Sequence, residues 1–71
     1  MKRYTKAEQI KDLILALNEL RVKQGKVKLI RCWTGAAHWL RTVGDNYKSV
    51  GAMYSNDDRF IGFLEGLLEQ E

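Results

Sequence analysis

The sequence predicts an all-α protein, a small bundle of three to four helices formed by residues 1–71 as a single domain. Three observations carry that assignment. A capped amphipathic segment opens the chain and another closes it. Between them, residues 28–43 sort into one apolar and one polar half on a helical wheel of about 100° per residue.

The first helix starts at a capping box. Thr5 and Glu8 have the spacing at which a hydroxyl and a carboxylate satisfy otherwise free backbone N–H groups. Ile10, Leu13, Ile14, Leu17 and Leu20 then recur at helical spacing and form one buried face. Glu19 and Lys23 add a pair one turn apart, and Gly25 is a natural terminator. Leu15 and Val22 lie off the main face, as peripheral packing or as the seam of a homodimer.

In the middle segment, Leu29, Ile30, Cys32, Trp33, Ala36, Ala37, Trp39, Leu40 and Val43 share the apolar half of the wheel. Lys28, Arg31, Thr34, His38, Arg41 and Thr42 share the other with Gly35. A strand pattern sorts worse, because it sets Arg31 beside Leu29 and Trp33, and Arg41 beside Trp39. The competing assignment is an α+β fold in the order α-β-β-β-α. It draws on the β-branched and aromatic content, on Gly35 and on the hairpin-like "TVGDNYKSV". Period is the stronger signal than propensity.

With a helix over 28–43, residues 36–54 resemble a helix-turn-helix. Val43 and Gly44 supply the apolar residue and glycine of the turn, and Asn46 caps the next helix. Val50 and Met53 have the offsets of its inward side chains, with Tyr47 and Tyr54 on the same side. Leu40 stands where that family usually places alanine, four residues before the turn glycine. The resemblance implies a recognition helix over 46–54 that offers Lys48, Ser49 and Ala52 to a major groove. Lys28, Arg31, His38 and Arg41, on a helix face without acidic neighbours, would contact phosphates. The competing α-β-β-β-α order resembles double-stranded-RNA-binding domains, but the acidic last helix lacks the lysines they use there.

The last helix opens at Ser55 or Asn56, with Asp57 and Asp58 in its first turn where the helix dipole favours negative charge. Phe60, Ile61, Phe63, Leu64, Leu67 and Leu68 form its apolar face. Gly62 and Gly66 each cost roughly 1 kcal/mol in a helix interior relative to alanine. Four residues apart, they make a small-residue face that a second copy could approach closely.

Composition bounds the chemistry. Apolar residues at 45% and two tryptophans describe a folded globule, near the lower size at which one core suffices. Cys32 stands alone, which excludes an internal disulfide and a cysteine-rich zinc site. With one thiol and no apolar leader after Met1, a cytoplasmic protein is expected, and no apolar run is long enough to span a membrane. Charge runs from +6 over residues 1–31 to −4 over residues 55–71, so one region suits an anionic partner. His38, the single histidine, has no partners at catalytic or metal-ligand spacing, and no phosphate loop or nucleophile elbow is present. An enzyme, a cofactor, a metal and a small-molecule substrate are therefore not expected. The leading expectation is a dimeric DNA-binding regulator acting on double-stranded DNA. The alternative is a phage-type or mobile-element accessory protein that binds a host protein through its tryptophans and tyrosines.

Overall fold

The two ends of the chain fold as their patterns direct, and the middle does not. The structure is a computed structural model that describes residues 4–70. It runs α1 (Lys6–Lys23), β1 (Leu29–Thr34), β2 (Ala37–Thr42), β3 (Ser49–Tyr54) and α2 (Asp57–Gln70). This α+β fold corrects the all-α bundle. It has the α-β-β-β-α order that the helical wheel had set second. The helix expected over 28–43 is the β1–β2 hairpin, and the recognition helix expected over 46–54 is a loop followed by β3. The helix-turn-helix goes with it.

Propensity overrode period here for a local reason. Gly35 and Ala36, at φ 58° and 60°, turn the chain between β1 and β2. Two residues of positive φ match the twist of the flanking strands, which is why such turns dominate tight hairpins. On either side, β-branched and aromatic side chains favour a pleated surface over a helix. The hairpin pairs in full register from Leu29↔Thr42 to Thr34↔Ala37.

The helix ends follow their signals. At α1 the Thr5 hydroxyl accepts from the Glu8 backbone N–H at 3.2 Å. At the other end, Lys26 N–H donates to Arg21 C=O and Gly25 N–H to Val22 C=O, the paired bonds of a Schellman stop. Asn56 caps α2, its Oδ1 accepting from the N–H groups of Asp58 and Arg59 at 2.8 and 3.2 Å.

The sheet is an antiparallel meander of order β1-β2-β3, so β1 and β3 run the same way. Each helix doubles back along its neighbouring strand through a short connection, which makes α1 and α2 roughly parallel. Lys6 ties their starts together through Asp58 at 2.8 Å. The hydrogen bond to Asp58 and that carboxylate's charge push the Lys6 ammonium pKa up. Both helices cover one face of the sheet. Ile10 and Leu17 from α1, Leu29 and Leu40 from the sheet, and Phe60, Ile61 and Leu64 from α2 form the buried core. Leu40 is the centre of the middle strand.

β3 pairs irregularly. Between His38↔Tyr54 and Leu40↔Val50, β2 contributes Trp39 alone while β3 contributes Gly51, Ala52 and Met53. The bulge requires glycine at its first position. Gly51 has φ 75°, and a Cβ there would overlap the Phe63 ring of α2. At Gly62 and Gly66 an added Cβ would meet nothing within 4 Å, so no close approach inside the chain accounts for them.

Candidate binding surface

With both helices on one side, side-chain alternation assigns the other side of the sheet. Leu29, Arg31, Trp33, His38, Leu40, Val50 and Tyr54 lie on the helix-covered face, as their cross-strand pairings and the core require. Ile30, Cys32, Thr34, Ala37, Trp39, Arg41 and Ser49 lie on the open face. Met53, one residue before Tyr54, joins them and borders a shallow hollow of about 340 Å³ with Thr34, Trp39, Ser49 and Gly51.

Arg41 organises this surface. Its Nε donates to Cys32 Sγ at 3.2 Å across the β1–β2 pair, and Nη1 donates to its neighbour Thr42 C=O at 3.3 Å. Its guanidinium carbon sits 4.5 Å from the centre of the Tyr47 ring, a cation–π contact. Tyr47 comes from the β2–β3 loop, and its ring also lies 6.2 Å from that of Trp39. The loop is fixed where it meets the strands: Thr42 N–H donates to Lys48 C=O, and Lys48 N–H donates to the Thr42 hydroxyl at 2.9 Å. Trp39 is oriented too, its indole N–H donating to the Thr34 hydroxyl at 3.1 Å. The result is an aromatic, weakly charged platform whose side chains are held by contacts within the chain.

On the helix-covered side the polar residues serve the fold. His38, 8% exposed, has Nε2 at 2.6 Å from Asp57 Oδ1 and Nδ1 at 3.2 Å from Arg31 Nη1. A guanidinium can only donate, so Nδ1 accepts and Nε2 carries the proton given to Asp57. The ring stacks on Phe60 at 5.0 Å and meets the edge of Trp33 at 4.6 Å. This strut joins β1, β2 and the start of α2. A small cavity of about 100 Å³ beside it is lined by Ala7, Ile10, Arg31, His38 and Asp57. Among the described residues, no three His, Cys, Asp or Glu side chains group as a metal site.

The eight side chains expected at nucleic acid are thereby dispersed. Arg31 and His38 are engaged with each other on the helix side, and Arg41 and Ser49 lie on the open face. Lys28, Asn46 and Lys48 are exposed in the loops at one end of the sheet, and Ala52 sits in the β3 bulge. Leu15 and Val22 are exposed on α1. Sequence reasoning missed the platform of Trp39, Tyr47, Cys32 and Met53. The "TGAA" turn was its signal, since folding 29–42 as a hairpin sets Cys32 opposite Trp39 and Ile30 opposite Arg41. The Asp57 partner of His38, nineteen residues away, left no local trace.

Among the described residues, no helix is long and apolar enough to cross a membrane. Compared with protein-family models, with curated proteins and with solved structures, the chain matches none.

Proposed function

We propose that this protein is a non-catalytic protein-binding module that docks its partner on the open face of the sheet. The observation that carries this reading is the make-up of that face. Trp39, Tyr47, Met53 and Ile30 are the aromatic, thioether and aliphatic types enriched where proteins meet. Among the strand residues assigned to it, Arg41 is the one formal charge, and its guanidinium is already held by a ring, a sulfur and a carbonyl. Phosphate binding needs several free cations on one surface. The open face does not offer them, and residues 46–54, in loop and strand, form no recognition helix.

The test is affinity capture with the wild type and a Trp39→Ala/Met53→Ala variant side by side, followed by titration of the purified partner. Loss of a hot-spot aromatic costs about 2 kcal/mol or more, so the variant should bind at least about thirtyfold more weakly. Unchanged far-ultraviolet circular dichroism shows that the variant still folds. Equal binding by the variant contradicts the reading. So does salt-dependent binding to duplex DNA that Arg41→Ala abolishes.

A further inference from the structure

We propose that α1 is the seat of a two-fold dimer, in which a second copy of this chain crosses it antiparallel at Leu15. Leu15 and Val22 are each 53% exposed, whereas Ile10, Leu13, Ile14 and Leu17 of α1 lie in or against the core. Helical spacing puts both on one stripe with Lys11 and Glu19. Lys11 lies four residues before Leu15 and Glu19 four after it. The charges of the stripe are thus self-complementary about Leu15, while Val22, seven residues on, falls opposite position 8 of the second copy.

The charges select the orientation. An antiparallel copy centred on Leu15 sets Lys11 against Glu19 of the second copy, and Glu19 against its Lys11, as an isologous contact requires. A parallel copy would instead oppose lysine to lysine and glutamate to glutamate. Among the described residues, neither Lys11 nor Glu19 has an ion-pair partner within the chain. Asp12, beside Lys11, is already bound by the Tyr4 hydroxyl at 2.9 Å.

The surface around the stripe is shaped to receive side chains. A shallow groove lies on each side of Leu15, each of about 400 Å³, one lined by Val22 and the other by Ile14 and Ile30. Asn18, the polar residue shared by both grooves, has its amide spent on Leu29, accepting from its N–H at 2.7 Å and donating to its C=O at 2.9 Å. One N–H and the oxygen of that amide are thereby engaged within the chain, which leaves its second N–H to meet the second copy or water. The seam lies on α1 and the open sheet face lies on the other layer. The two surfaces meet only at Ile30, so charge reversal at Lys11 or Glu19 tests the dimer and Trp39→Ala/Met53→Ala tests the partner-binding reading separately.

Sedimentation equilibrium of the full chain with charge reversals tests the proposal. The wild type should dimerise at about 50 µM, a modest affinity in keeping with one helix-pair seam. Lys11→Glu and Glu19→Lys should each raise Kd by about tenfold or more, since each contact occurs twice and becomes repulsive. The Lys11→Glu/Glu19→Lys double variant should return to within about threefold of wild type, because the pairs are restored with reversed sign. In a Cys32→Ser background, Leu15→Cys should form a disulfide dimer on oxidation, as a residue on the axis meets itself. Val22→Cys should not, because seven residues of helix place it about 10 Å from the axis. A wild type that stays monomeric at every accessible concentration overturns the proposal. So do single reversals that leave Kd unchanged, a double variant as weak as the singles, or cross-linking through Val22→Cys in preference to Leu15→Cys.

Discussion

Ala36 holds a left-handed backbone conformation at φ 60° that alanine adopts at a cost of about 1–2 kcal/mol. Glycine adopts it freely. Ala36→Gly should therefore raise stability by about 1 kcal/mol, after the extra freedom of glycine in the unfolded chain is subtracted. Denaturant unfolding reads this as a higher midpoint at unchanged slope. Leu40, fully buried in the central strand, gives the opposite result. Leu40→Ala should cost about 2–5 kcal/mol by leaving a cavity in the core. The His38 strut has its own signature. Asp57→Ala removes the acceptor of the buried Nε2–H and should cost about 1–3 kcal/mol, whereas Asp57→Asn keeps an acceptor oxygen and should cost much less. Equal losses in the two variants would show that Asp57 acts as a helix-start charge and not through His38.

At the scale of elements, the β3 bulge couples the sheet to α2. Gly51→Ala introduces a Cβ that overlaps Phe63 at a backbone angle alanine disfavours. Thermal unfolding should show a loss of about 1–3 kcal/mol, and a variant as stable as wild type would contradict the bulge. The two helices were legible in the sequence because their signals are local: Thr5 with Glu8, Gly25, Asn56, and apolar spacing along each segment. The hairpin was not. A strand on a two-layer fold shows clean alternation when its outer face is polar and its inner face apolar. Here Arg31 lies on the inner face, satisfied by His38, and Trp39 lies on the outer face, beside Tyr47. Both faces therefore read as mixed, and the same residues fell into two halves of a wheel by coincidence. The candidate site disappeared for the same reason. A platform made of cross-strand neighbours such as Cys32 and Trp39 exists only once the turn at Gly35 is placed.

For the molecule as a whole, two parallel helices protect one face of a three-stranded sheet and leave the other to solvent. Sheets of this kind normally turn a polar face outward. This one turns out Ile30, Trp39 and Met53, with Tyr47 and Arg41 stacked over the rim. The two tryptophans report the two faces, since Trp39 stands on the open side and Trp33 sits against His38 on the helix side. Their indole N–H resonances in a nitrogen–proton NMR spectrum make the direct measurement, recorded while the captured partner, and separately duplex DNA, is titrated in. The protein partner should shift the Trp39 indole together with the amides of Cys32, Arg41 and Tyr47. The Trp33 indole and the helices should stay in place, and duplex DNA should change nothing at moderate salt. Shifts confined to Trp33 and the helices, or a Trp39 indole that responds to DNA and not to protein, would contradict the partner-binding reading.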